Sequence, residues 1–274
     1  MARPEHQYAS RLNWGQFRLF ELMPTSSSSD APSGKFIITS IHQPPPFRVL
    51  SYRWGLAGAT DWVVCDSGSI AVTLNLVEAL RDIRHPMKRQ LYWIDPICIN
   101  QQDPREKGVQ VGMMAQIISI AEETVLYINS TSPTIGTAFE LLSHLSFARH
   151  NAFGYRCLSS TIVTVSSLGR YREALLRPTD PSWRTVKDLL SDGVFERLMM
   201  THFSNSVWSM QDFLCASKLT LRWNGHEIGA SELCSGLEAY ELHAYPNLIK
   251  HPRAHTLADV GQIRREFMPN STDS

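Results

Sequence analysis

Apolar positions recur along this chain with two periods, and the switches between them lay out most of its elements. Short apolar runs bounded by turn residues read as strands: Phe17 to Leu22, which partly alternates, then Phe47 to Tyr52, Leu91 to Ile94 and Thr124 to Ile128. Phe36-Ile37-Ile38 is placed to pair back as a hairpin, and Trp62–Cys65 with Ser69–Val72 flanks Asp66-Ser67-Gly68 as a second one. The helical period appears in Leu76, Leu80 and Ile83, behind a cap at Thr73 or Asn75 and ending near His85-Pro86. It returns after Asp103-Pro104-Arg105-Glu106, where Asp103 reads as the N-cap, Pro104 as the first helical residue and Glu106 as the back-reaching member of a capping box. Two stripes there, Val109/Met113/Ile117/Ile120 and Val111/Met114/Ile118/Ala121, predict a largely buried helix. Phe139 to Leu142 with Leu145 predicts a further helix, Trp183 to Leu190 a short amphipathic one, and Val207 onward another. Leu219–Trp223, Asn224-Gly225 and His226–Ile228 read as strand, tight turn and strand.

Three strands separated by two helices give consecutive β-α-β crossovers, so Val49–Tyr52, Leu91–Asp95 and Thr124–Ile128 should lie parallel in one sheet. Their carboxyl ends would bring Ser51, Tyr52, Asp95 and Asn129 to one edge, where open α/β sheets bind ligands. Around this core, residues 1–13 are polar and expected to be disordered, and Pro24 to Gly34 is a Ser- and Pro-rich loop. One domain is expected over 14–240, with irregular insertions at about 150–181 and 198–206 and a weakly ordered tail over 241–274.

The stretch from Leu91 to Glu106 is the chemical centre of this pattern. A buried strand passes directly into an acid, Asp95, and then into the amide-rich turn Asn100-Gln101-Gln102. Asp95, Asn100 and Gln101 either address a ligand or only satisfy loop backbone groups, as Asx turns do. Tyr52 and Trp54 are either ligand contacts or core aromatics with a polar handle, and Gly55 permits a sharp turn between them and the next segment. Cys98 is a candidate nucleophile, yet its apolar flanks are those of a small core residue.

Composition narrows the classes. Lys plus Arg and Asp plus Glu both number 26, so the formal charge is zero and nothing basic invites nucleic acid. No run of about 18 apolar residues offers a membrane span, and no signal-peptide core is present, so a cytoplasmic protein is expected. Five scattered cysteines form no Cys-x-x-Cys pair, and His226-Glu227 lacks the second His of a zinc motif, so neither a disulfide framework nor a metal site is expected.

Two ordered motifs carry a family resemblance. Leu50-Ser51-Tyr52, Trp54 and Gly55 match a Tyr-x-Ala-Leu-Ser-Tyr-x-Trp-Gly pattern, and Trp93-Ile94-Asp95-Pro96-Ile97-Cys98-Ile99-Asn100-Gln101 with Arg105-Glu106 and Gln110 matches a second. Together with Val72-Thr73-Leu74-Asn75-Leu76, they resemble the fungal heterokaryon incompatibility (HET) domain, which usually has Ala or Gly where Pro96 stands. Phe195-Glu196-Arg197 and Val207-Trp208-Ser209-Met210-Gln211-Asp212 look like one further HET element, here interrupted by Leu198 to Ser206, either a surface loop or an exon-boundary error.

The resemblance implies a TIR- or flavodoxin-like α/β fold, a central parallel sheet flanked by helices with β-hairpin additions. It also implies a role in non-self recognition and programmed cell death, through self-association or another incompatibility protein. Because TIR-like enzymes cleave NAD with a Glu four residues after a Trp, it places Asp212, four after Trp208, in the catalytic position. NAD enters as substrate, with no bound cofactor implied. Ser51, Tyr52, Trp54, Gly55, Asp95, Cys98, Asn100, Gln101, Arg105, Glu106, Gln110, Arg197, Trp208 and Gln211 are the accompanying motif or ligand-binding residues. The alternative role for Asp212 is a solvated helix position, its side chain one methylene shorter than the usual Glu. HET proteins often carry long C-terminal regions, so the chain is expected to be a reduced or shortened form.

Overall fold

The computed structural model describes residues 4–8, 11–27, 29–55, 58–129, 134–153, 212 and 214–236. They fall into two compact units, one formed by Met1–Asn129 with His202–Gly225, the other by Ser130–Thr201 with His226–Ser274. The helix expected at Trp183–Leu190, the insertion near 198–206, the tail, and all of the 150–181 insertion but its first residues, which continue a helix to Phe153, lie outside the described residues.

The first unit contains β1 (Gln16–Leu22), β2 (Ser33–Ser40), β3 (Arg48–Tyr52), β4 (Asp61–Cys65) and β5 (Gly68–Val72), then α1 (Leu74–Ile83), β6 (Gln90–Trp93) and the short α2 (Asp95–Cys98). It continues with α3 (Pro104–Ile120), β7 (Glu123–Tyr127) and β8 (Leu219–Trp223). The strand order is β5-β4-β2-β1-β6-β3-β7-β8. β3 pairs parallel with β6 on one side and β7 on the other, and β7 pairs parallel with β8. That arrangement follows from the crossovers through α1 and α3, each long enough to return the chain to the same end of the sheet.

The expected α/β class and the parallel run of strands are present, but the sheet as a whole is mixed, because the expected hairpins are part of it. β1 runs antiparallel to both β2 and β6, so the β1–β2 hairpin is built into the middle of the sheet, and β4–β5 forms a second antiparallel pair beyond it. The physical reason is visible in β1, where Phe17, Leu19, Phe20 and Leu22 are all nearly fully buried. A strand apolar on both faces cannot sit at an exposed edge without leaving one of them in water.

Helix α3 starts where the sequence places it, with Asp103 accepting from the backbone of Arg105 at 3.0 Å and Glu106 at 3.2 Å. Two details differ. Glu106 does not close a capping box; its Oε1 accepts from the Asn100 backbone at 2.8 Å. Only one stripe is buried, through Gln110, Met113, Met114, Ile117 and Ile118, while Val109 and Ile120 face solvent because the sheet covers a single side of the helix.

The N-terminus also departs from expectation. Residues 4–8 lie along the sheet, with Glu5 bridged to Ser69 and backbone bonds His6 N to Ser69 O at 3.0 Å and Ser69 N to Pro4 O at 2.8 Å. The aromatic rings of His6 and Tyr8 pack on Phe36, which the polar character of the segment does not advertise.

The second unit holds α4 (Thr134–Phe153) and β9 (His226–Gly229). Ile135, Ala138, Phe139, Leu142 and Leu145 bury one face of α4, as the apolar spacing predicts. Gly136 lets the His226 ring approach, since a Cβ there would come within 2.6 Å of Nε2. No helix among the described residues is long and apolar enough to cross a membrane.

Candidate functional site

The carboxyl ends of β3 and β6 carry the candidate chemistry. β3 is buried through Val49, Leu50, Ser51 and Tyr52, so Ser51 reaches the strand end already out of water, at 6% exposure. A hydroxyl in that position needs a partner, and it finds one 161 residues away: Ser51 Oγ donates to Asp212 Oδ2 at 2.6 Å. Asp212 is only 9% exposed, and its other oxygen, Oδ1, is buried without a hydrogen-bond partner among the described residues. This rules out the solvated helix position for Asp212.

Asp95 follows β6 as the first residue of α2, the four-residue helix into which the strand breaks at Pro96. Burial, and then the charge of Asp212, push its carboxyl up to about 7, while a hydrogen bond from the Trp54 side chain acts the other way. Burial also lifts Asp212, to about 6, against the pull of the Ser51 hydroxyl. Desolvation disfavours the charged form, so both carboxyls hold protons above the ordinary range, Asp95 further because of the Asp212 charge. Tyr52, beside them at 7% exposure, is held neutral by its burial and by the Asp95 charge. Trp54 is 44% exposed and presents indole surface next to Asp95.

The loop from Arg53 to Gly55 is tied down by side-chain amides. Asn75 Nδ2 donates to Arg53 O at 3.0 Å, and Asn129 Nδ2 donates to Asn75 Oδ1 at 2.7 Å and to Glu78 Oε2 at 2.9 Å. Gly55 has φ 85°, and a Cβ on it would stand 3.0 Å from Asn75 Nδ2. Asn75 was read from sequence as a cap or motif residue rather than as an anchor of this loop, and its spacing of three from Glu78 on α1, which puts the two on one helix face, was the available signal.

The remaining motif residues build the frame. Arg18 Nη1 donates to Glu106 Oε1 at 2.5 Å and Nη2 to Oε2 at 3.0 Å, a bidentate pair with side chains only 3% and 7% exposed. Arg18 also reaches the Cys98 carbonyl at 3.3 Å. Gln110 Nε2 donates to Gln16 O at 2.8 Å, and Gln101 Nε2 to Asp95 O at 3.0 Å. Asn100 Oδ1 accepts from the Gln102 backbone at 3.1 Å, the Asx turn weighed in the sequence. Asn100 and Gln101 therefore use their side chains on loop backbone. Arg105 is exposed.

Cys98 is fully buried, with its thiol pushed up to about 12, first by that burial, and it is a core residue rather than a nucleophile. Arg197, Trp208 and Gln211 lie outside the described residues. No group of three or more His, Cys, Asp or Glu able to hold a metal ion occurs among the described residues. Arg18 was missed as a site-framing residue, although a charge within a strand apolar on both faces must be paired.

Comparison with known proteins adds an independent line. Residues 47–199, more than half of the chain, match the family model described as heterokaryon incompatibility protein (HET). The chain is similar to heterokaryon incompatibility protein 6, OR allele, of Neurospora crassa, with 26% identity over 239 residues covering 80% of this chain and 35% of that protein. It thus spans about a third of the length of that curated relative. No solved structure matches.

Proposed function

The chain belongs to the heterokaryon incompatibility (HET) family, and from that membership we propose that it acts in fungal non-self recognition, as a module whose engagement leads to growth arrest and cell death. The observation that carries this is the family match over residues 47–199, which takes in both motifs and the framework they build. The partner in this reading is a second copy or another incompatibility protein, met through the α/β surface. Induced expression of the full chain in a compatible filamentous fungus tests it. Growth arrest with uptake of a viability dye is expected, and normal growth of hyphae that accumulate the folded protein would overturn the proposal.

A second reading, a TIR-like NAD hydrolase, is favoured by one arrangement: the buried Asp212 carboxyl bonded to Ser51 beside Asp95. The parallel block β6-β3-β7-β8 supports it, since a first strand flanked by the second and third is the doubly wound order whose ligands bind at the carboxyl ends beside the switch in direction. In the reaction, the ribose C1′–N bond breaks with its electron pair on the nicotinamide nitrogen, which leaves neutral. Water adds to C1′ and its proton passes to the ionised member of the carboxyl pair. The carboxylate of Asp212 stabilises the oxocarbenium-like transition state.

Asp is one methylene shorter than the usual Glu, and a displacement of about 1 Å can cost on the order of 100-fold in rate, so slow turnover is expected. NAD loss is compared between the native chain and Asp212→Asn, which keeps the shape and an acceptor for Ser51 but not the charge. Turnover abolished by Asn supports the hydrolase. No NAD loss from folded native protein at high concentration removes it and leaves the recognition module standing.

A further inference from the structure

The N-terminal segment touches more than the sheet edge. Tyr8 Oη donates to Ile97 O at 2.8 Å, and Gln102 Nε2 donates to Glu5 Oε1 at 3.2 Å, so the turn that begins at Asp95 is bonded to residues 4–8 at Ile97 and at Gln102. The segment itself is held at its other end by the two backbone bonds to Ser69 and by a 2.7 Å bond between Ser67 Oγ and His6 Nδ1. Arg18, the cation that clamps Glu106 and the Cys98 carbonyl, lies 4.7 Å from the centre of the Tyr8 ring. The segment's own side chains line a pocket of about 220 Å³ open to solvent, with Arg18, Phe36, Ile38 and Asp66 on its other walls. A segment held by a few bonds beside such a pocket opens locally at far lower cost than a core strand.

We propose that residues Pro4–Tyr8 form a clasp on the Asp95 turn, with Tyr8 as its positioning residue, so that lifting the segment from the sheet loosens the turn that carries the candidate carboxyl. The clasp acts through α2: Ile97 N and Cys98 N both bond to Ile94 O, and Ile99 N to Asp95 O, so a pull on the Ile97 carbonyl is felt by the residue that starts the helix. The two ends of the clasp are separable. Tyr8→Phe removes only the hydroxyl bond and keeps the ring against Phe36 and Arg18. Gly68→Ala acts at the far end, where φ is 150° and a Cβ would come within 2.6 Å of the Pro4 carbonyl oxygen. The functional weight of the clasp rests on Asp95 belonging to the working site.

The test is amide hydrogen exchange together with a carbon-13 carboxyl titration of Asp95 in the full chain and both variants. Tyr8→Phe should speed exchange at Ile97, Cys98 and Ile99 by roughly fivefold, the opening expected for one lost hydrogen bond, with β3 and β7 amides unchanged. The Asp95 midpoint should fall from about 7 toward the ordinary carboxylate range as water reaches the turn, a readout that loss of packing elsewhere does not move. Gly68→Ala should do the same from the opposite end. If it disturbs the β4–β5 hairpin, Tyr8→Phe alone decides. Native exchange and an unmoved Asp95 midpoint in Tyr8→Phe, or residues 4–8 released by Gly68→Ala while 95–99 stay protected, would overturn the clasp. Neither readout needs turnover, so a shifted midpoint without NAD loss overturns only the hydrolase reading.

Discussion

Replacing Asp212 by Asn should make this protein more stable above neutral pH, although it deletes a charged side chain from a hydrogen bond. An ordinary carboxyl titrates near 3.9, and in the unfolded chain Asp212 is ordinary. In the folded chain it titrates at about 6, because burial outweighs the bond from Ser51. The folded state therefore binds the proton more tightly than the unfolded one, and the stability this contributes is complete below about pH 4 and lost as the pH rises through about 6. A difference of roughly two units corresponds to about 3 kcal/mol once the group is ionised. Asn resembles the protonated form, so it avoids that loss.

Guanidinium unfolding followed by far-ultraviolet circular dichroism, at about pH 4.5, 6 and 7.5, measures the effect. Near pH 4.5 Asp212→Asn should lead the native chain by no more than about 1 kcal/mol; near pH 7.5 it should be ahead by about 2–3 kcal/mol. Asp95→Asn should act in the same direction through a higher range, since its carboxyl titrates at about 7. The double variant should gain less than the two singles together, because the Asp212 charge is one of the causes of the Asp95 shift. A native chain whose stability rises between pH 5 and 7.5, or an Asn variant that tracks it across the range, would refute the reasoning.

Glu106→Gln removes the carboxylate that pairs with the buried Arg18 and should cost about 3–5 kcal/mol in the same unfolding assay, part of it recovered by adding Arg18→Met; a cost under about 1 kcal/mol would show the pair to be solvated. Gly55→Ala forces a side chain into φ 85° and against Asn75, and should lower the thermal midpoint by the equivalent of about 1–2 kcal/mol; an unchanged midpoint would mean the Arg53–Gly55 loop is not held. Cys98 should resist iodoacetamide in the native protein at about pH 8 and react fully in guanidinium, read by peptide mass spectrometry; native labelling at the rate of a free thiol would return it to the list of nucleophiles.

The parallel core was legible because its signals are local. Two helices, each between short apolar runs, leave the chain few ways to connect; Asp103 marks the start of one, and the other was placed behind Thr73 or Asn75, of which Thr73 is the N-cap position, without a side-chain cap bond. The position of β1 was not legible, since an apolar strand announces burial on both faces but not which strands cover it. The docking of residues 4–8 was hidden for a related reason: its main anchors are backbone bonds to Ser69 and a Tyr8 hydroxyl on a carbonyl, neither of which leaves a pattern in side-chain polarity. Asp212 was singled out by the resemblance, while its burial and its bond to Ser51, 161 residues away, leave no local pattern.

Two sets of charged groups are buried in the first unit, and they differ in completeness. The Arg18–Glu106 pair is neutralised, bidentate and further bonded to Cys98 O and Asn100 N, so it carries little residual cost and fixes the start of α3 against β1. Asp212 has one Ser hydroxyl and one oxygen without a hydrogen-bond partner among the described residues, and Asp95, bonded by the Trp54 side chain and drawn on by the Lys107 charge, is still pushed above the ordinary carboxylate range. A fold that could neutralise one buried charge so thoroughly did not lack the means to neutralise another. Carboxyls kept in this state depress stability above neutral pH, which is the pattern expected where a site is tuned for what it must bind or convert rather than for holding the chain together. Glu106, Gln110, Asn100 and Gln101 spend side-chain bonds on the frame around the turn, whereas Ser51, Asp95 and Asp212, with Trp54 exposed beside them, are the groups the proposed hydrolase would use.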